Sequence, residues 1–263
     1  MKHSNNRRRT YHYILVAGLL AVIILSMVDT GADPVAIGRG IPNMLIYFGR
    51  MIPPSWQKIP SLIEPLRETI EIAVVSISLA FFGAIVLGLM AAKNVNRSRV
   101  LYRLARGTLS ALRSIPSLLY ALIFVSMVGL GPLPGIMGLA CHVTGALGRY
   151  FSEAFELSPK ETIEAAKMDG AGRIRVIWYI IIPAARPLIV GYTLYYFEHC
   201  VRQATMLGLV GAGGIGVPLI LSLRLFRHQD AAACMIVILG TVFTLDAVSS
   251  IIRWRFIHDS GTL

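Results

Sequence analysis

The sequence predicts an all-α integral membrane protein with six transmembrane helices, and three observations carry that expectation. Hydrophobic residues make up 55% of the chain and charged residues 15%, against about 25% charged in a soluble domain. Uncharged runs long enough to cross a bilayer recur along the chain. The net charge of +11 is concentrated in Lys/Arg clusters beside alternate apolar runs, which is how inward loops of membrane proteins are marked. The same clustering argues against a nucleic-acid partner and for membrane lipid.

The first run, YILVAGLLAVIILSMV (13–28), follows a basic N-terminus (1–12) containing Arg7, Arg8 and Arg9. No small-x-small cleavage site follows it, so it reads as a retained anchor rather than a signal peptide. Segment 29–65 is then the longest outside loop. Its stretch PNMLIYFGRMIPPSW is expected to lie along the outer membrane face, with Pro53, Pro54 and Pro60 breaking any long helix. The main transmembrane domain is expected over 66–256. Its spans are 70–92, 107–130 with Arg113 inside, one running through 136–148, about 183–200, and 231–252 with Asp246 inside. GPLPG (131–135) reads as a tight turn, and 257–263 as an inward tail. Cys141, Cys200 and Cys234 lack metal-ligand spacing and read as free, small apolar residues.

Segment 204–223 is uncharged for 20 residues, and hydropathy alone makes it a seventh span. Charge opposes this. With six spans, the clusters at Arg7–Arg9, Lys93–Arg106, Lys160–Arg175 and Arg253–Arg255 all face inward; a seventh puts the last pair outside. The segment is therefore expected to be re-entrant or broken, which membranes tolerate only where protein buries the backbone or it lines a cavity. It contains Gly211-x-Gly213-x-x-Gly216, with Asp230 19 residues beyond Gly211. That is a dinucleotide-binding spacing, and a membrane oxidoreductase is the reading it would support. The fingerprint needs a strand before it and a helix after it in a βαβ unit, and this setting offers none. Gly211, Gly213, Gly214 and Gly216 either present N–H groups to an anion or permit tight packing, and packing is the expectation.

Residues 158–183 read SPKETIEAAKMDGAGRIRVIWYIIIP. Ser158-x-x-Glu161 has capping-box spacing and Pro159 suits the first helical position. Gly170 and Gly172 are expected to end a helix of about 11 residues, roughly 16 Å long. Ala165 and Ala166 keep part of its surface low, so that a partner can approach.

Glu164-Ala165-Ala166, three residues, Gly170, nine residues, then Ile180-x-Ile182-Pro183 resembles the EAA motif of ABC importer permeases, with Ile182 in place of the usual leucine. The resemblance implies the MetI-like type I permease fold. It makes Glu164, Ala165, Ala166, Gly170 and Pro183 a coupling loop that docks in a cytoplasmic ABC ATPase dimer. It also implies a homodimer of this chain with the pore at its interface, a periplasmic substrate-binding protein, and the bacterial inner membrane. The chain is not an enzyme on this reading. It has no Gly-x-x-x-x-Gly-Lys-Ser/Thr loop, so ATP and Mg²⁺ belong to the partner and no cofactor is bound here.

Within that family the chain is most similar to the phosphonate-type permeases, through 53–94, 113–156 and YYFEHCVRQATMLGLVGAGGIG (195–216). Methionine-type permeases share RSIP and the glycine stretch and remain the alternative. The resemblance implies a small phosphorus oxyanion as substrate: phosphonate, phosphite or hypophosphite. Arg113, Ser114 and Ser117 are then pathway candidates, Arg113 alternatively an anchor that snorkels to the inner surface. Glu198 and Arg202 stand four residues apart. They form either an anion relay or an intrahelical ion pair stiffening a gate. His142 is expected to be a packed group at a helix interface.

Overall fold

The computed structural model describes residues 3–31, 34–96 and 98–258, and every regular element among them is helical. Two units divide between Ile52 and Pro53. The first holds α1 (His3–Asp29) and α2 (Pro34–Arg50). Segment 29–65 is therefore largely helical rather than a loop. Ile41, Met44, Leu45 and Phe48 recur at the three- and four-residue spacing of one helical face.

The second unit begins with a single 3₁₀ turn (Trp56–Lys58) leading into α3 (Ile59–Met90). Pro60 opens α3 instead of breaking it, because the first helical turn needs no N–H from that position. α3 turns small residues inward, Ala73, Ala80 and Ala84, and large ones outward, Val75, Leu79, Phe82 and Val86. That inversion suits packing in lipid, where close backbone approach replaces hydrophobic exclusion.

The expected span 107–130 is not continuous. It forms α4 (Arg99–Ser114) and α5 (Ser117–Val128), bent by 85°. Pro116 carries no N–H and pushes its predecessor out of the helical region, and Ile115 is extended at φ −91°, ψ 123°. α6 (Pro132–Glu156) also starts earlier than expected, so the turn is Gly129–Gly131, and Pro134 and Gly135 lie inside the helix.

α6 is the centre of the unit and packs along α3, α4, α5 and α9 (Ile182–Leu207). Phe151 and Phe155 are fully buried, and the Phe151 ring stands 5.7 Å from that of Phe81. Two of its glycines permit close approach of neighbouring backbone. A Cβ on Gly138 would lie 2.7 Å from Ala121 N, and one on Gly145 2.6 Å from Arg113 N.

α7 (Lys160–Met168) has nine residues rather than about eleven. Pro159 precedes it as N-cap, with no side-chain capping bond, and the Ser158 hydroxyl is buried without a partner. The capping box is present in sequence but does not form, because Ser158 packs inward. The chain continues through α8 (Arg173–Val176), a π turn (Ile177–Ile181), α9, a 3₁₀ turn (Gly208–Val210), α10 (Gly216–Arg224) and α11 (His228–His258). Segment 204–223 is thus broken, and the nine residues of α10 extend only about 14 Å, too short for a bilayer.

Four helical stretches among the described residues, 12–29, 56–90, 173–210 and 228–251, are long and apolar enough to cross a membrane, or five if the bent α4–α5 pair is counted as one span. The connections sort to two ends of the second unit. At one end Glu156 Oε1 accepts from Lys93 N and from Arg106 Nη2, each at 2.9 Å, and Arg173 donates to Val95 O. At the other, Ser55 N donates to Gln229 O at 3.2 Å, Lys58 pairs with Asp230 at 3.4 Å, and Gly131 N donates to Gly211 O at 3.0 Å. The first end gathers Lys93, Arg99, Arg103, Arg106, Lys160, Lys167, Arg173 and Arg175. Arg97 and residues 259–263, also expected to face inward, lie outside the described residues.

Candidate functional site

Arg113 and Ser114 end α4 and Ser117 begins α5, so the break itself positions three of the expected pathway residues. Gly145, against which Arg113 packs, lies near the middle of α6. The Arg113 backbone therefore lies part-way along the bundle rather than at its end. It is exposed on the single chain, as is Ser114. Breaking a helix leaves carbonyls without intrahelical partners. His142 of α6 answers one of them, its Nδ1 lying 2.9 Å from Ile115 O. A carbonyl can only accept, so Nδ1 carries the proton. His142 is thus a packed interface group, as expected, and it stabilises the break.

Ser117 is buried, and its Oγ donates to Gln203 Oε1 at 2.8 Å. Gln203 Nε2 stands 3.5 Å from His199 Nε2, one turn earlier on α9. His199 lies within electrostatic reach of Arg202 and His142, and Tyr196, whose ring edge meets His199 at 5.7 Å, within reach of Arg113. Arg113, His142, His199 and Arg202 thus gather where α4, α5, α6 and α9 meet. The reading of the sequence missed His199 and Gln203; their only local signal is a polar pair at four-residue spacing in an apolar helix. Glu198 and Arg202 have different surroundings. Glu198 is 5% exposed and Arg202 is exposed.

The glycine stretch lies apart from this cluster, at the end holding Lys58 and Asp230. Its N–H groups are largely consumed within the fold. Gly214 N donates to Glu68 Oε2 at 3.0 Å and Ile215 N to Thr69 Oγ1 at 2.8 Å. Gly211 N and Ala212 N bond back to Gly208 O and Leu207 O. Gly216 is the tightest point, since a Cβ there would lie 2.0 Å from Thr205 O and 2.9 Å from Gly208 Cα. A Cβ on any of the four glycines, Gly211, Gly213, Gly214 and Gly216, would come within 3.0 Å of a neighbouring atom. Glu68 and Thr69 of α3, unremarkable in sequence, are the residues that hold the turn.

The helix of the Glu-Ala-Ala motif, α7, finishes on a Schellman end. Ala171 N donates to Ala166 O at 2.9 Å and Gly170 N to Lys167 O at 3.1 Å, with Gly170 left-handed at φ +78°. This explains why a glycine follows the Glu-Ala-Ala helix at that spacing. Ile163 is buried and Ala166 packs on the core, while Glu164, Ala165, Lys167 and Met168 face outward. Pro183 sits in the first turn of α9, behind the π turn.

A helical bundle faced with large apolar side chains, with an arginine at a sharp break part-way along it, suits a protein that moves a polar solute across a membrane. Residues 84–256 match the binding-protein-dependent transport system inner membrane component family. The chain belongs to that family, and is the permease component of an ABC importer in the inner membrane. It is 34% identical over 242 residues to the phosphite transport system permease protein PtxC of Stutzerimonas stutzeri, covering 92% of this chain and 88% of that one. It is 32% identical over 245 residues to the phosphate-import permease protein PhnE of Mycolicibacterium smegmatis, covering 93% of this chain and 45% of that one. Its fold matches inward-facing MetNI methionine ABC transporter at a TM-score of 0.68 and 21% identity, over 77% of this chain and 99% of that one.

Proposed function

We propose that this permease imports small phosphorus oxyanions of the phosphite and phosphonate class, and that the anion passes the α4–α5 break. The observation that carries the reading is the basic and hydroxyl-bearing cluster there: exposed Arg113, Ser114 and Arg202, with His199 and Gln203 behind them. An arginine kept deep in an apolar bundle is costly unless it faces water or a ligand. Its planar fork suits two phosphorus oxygens at once. The names of the phosphite and phosphate relatives point to the same chemistry.

Six spans, with α6 and the bent pair each counted as one, put the basic end of the bundle in the cytoplasm and segment 29–65 in the periplasm. α7 then faces the ATPase, which hydrolyses ATP for the pair, and a second copy of this chain closes the pore around Arg113. A periplasmic binding protein delivers substrate. The test is uptake by cells lacking other phosphorus importers that express the chain with its ATPase and binding protein. Phosphite or a simple alkylphosphonate should enter and methionine should not; entry of methionine alone would overturn the assignment.

A further inference from the structure

At the basic end of the bundle a cavity of about 550 Å³ opens between the α3–α4 connection and the chain leaving α7. Its lining includes Lys93, Lys167 and Arg173 together with the apolar Val176, Ile177 and Ile181. No Asp or Glu is among the described residues that line it. Glu156, the carboxylate bonded to Lys93 N, is already paired with Arg106 at 2.9 Å. Three cations, each on an exposed residue, therefore line one space with no carboxylate among its described lining residues, and an anion entering it lowers their mutual repulsion. Arg173 is held across the cavity by its bond to Val95 O, and its fork keeps further N–H groups for a ligand. Asn94 also lines the space. Its Nδ2 donates to Phe155 O at 2.6 Å, and its Oδ1 is buried without a partner.

We propose that this cavity is a second anion site, separate from the transport pathway, which binds a phosphate group. Lys93, Lys167 and Arg173 neutralise the phosphate oxygens. Two sources carry that chemistry: the glycerol-phosphate headgroup of an anionic phospholipid, whose chains the Val176–Ile181 wall suits, and free hydrogen phosphate. Basic pockets at the inner ends of transmembrane helices commonly take such headgroups. Because Lys167 belongs to α7 and Lys93 to the α3–α4 connection, an occupant ties the coupling helix to the bundle. The site stands on the cavity alone; only this consequence for coupling rests on the transport reading.

The test uses the full chain in nanodiscs, with lysine acetylation read by mass spectrometry. One arm is pure phosphatidylcholine titrated with inorganic phosphate at constant ionic strength. The other contains phosphatidylglycerol and no phosphate. Lys93 and Lys167 should be protected in at least one arm while Lys160, on α7 but outside the cavity, stays reactive, and the arm that protects names the source. Ligand affinity should fall about 30-fold in Lys93→Gln/Lys167→Gln, read by thermal shift. That variant leaves Arg173 and its bond to Val95 intact, and Arg99→Gln/Arg103→Gln removes the same charge from exposed positions outside the cavity. Protection in neither arm, or equal weakening by both double variants, overturns the site.

Discussion

Gly216→Ala isolates what the glycine stretch does. The added methyl would lie 2.0 Å from Thr205 O and 2.9 Å from Gly208 Cα, both backbone atoms that cannot rotate away. The α9 end and the start of α10 must separate by roughly 1 Å to bring the first contact to 3.0 Å. Overpacking of this kind costs about 1–3 kcal/mol. Gly216 is not left-handed, so alanine brings no backbone strain of its own and the loss is steric. Gly107→Ala is the matched control. It lies inside α4 with nothing within 4 Å of its Cβ, and alanine there should stabilise by up to about 1 kcal/mol. The two variants should shift the melting midpoint of the purified chain in opposite directions, and uptake should fall only for Gly216→Ala. Alanine keeps the N–H, so an N–H anion cradle would survive the change. Wild-type melting and uptake in Gly216→Ala would refute the packing role.

The other expectations concern coupling, topology and charge. A Cβ on Gly170 meets nothing within this chain, though its φ of +78° strains any other residue. Gly170→Ala should therefore cost about 1 kcal/mol of stability and still transport, whereas Gly170→Glu should insert normally but lose transport and ATPase co-purification; normal transport by the glutamate variant would remove α7 from the ATPase interface. In a background free of native cysteines, Ser55→Cys should react with an impermeant maleimide in intact cells and Lys160→Cys only after lysis, and the reverse pattern would invert the topology. Arg202→Lys should impair phosphite uptake and Arg202→Gln nearly abolish it; recovery to near wild-type in Glu198→Gln/Arg202→Gln would mark the two as an ion pair rather than a substrate contact.

The long uncharged runs made α1, α3 and α11 legible, because hydropathy over a span-length window is a strong signal. The end of α7 was legible too, since a glycine at that spacing has one mechanical use, the Schellman turn at Gly170. The α4–α5 break was written locally, in Ile115-Pro116 between two serines, yet it was hidden by a hydropathy run that continues through the proline. Pairings across the fold left no local trace. Glu68 meets Gly214 across 146 positions, and Ser117 meets Gln203 across 86. Ser158 shows the opposite failure, a correct cap pattern overridden by tertiary packing that buries the hydroxyl.

The claim on which the account turns is that phosphorus anions cross at the α4–α5 break, and Arg113 tests it most directly. The measurement is ATP-driven phosphite uptake into proteoliposomes holding the chain, its ATPase and its binding protein, with assembly and basal ATP hydrolysis followed in parallel. Arg113→Gln should assemble and hydrolyse ATP yet lose at least nine-tenths of uptake, with Arg113→Lys in between because it keeps the charge without the fork. Phosphite uptake at the wild-type rate in Arg113→Gln would contradict the account.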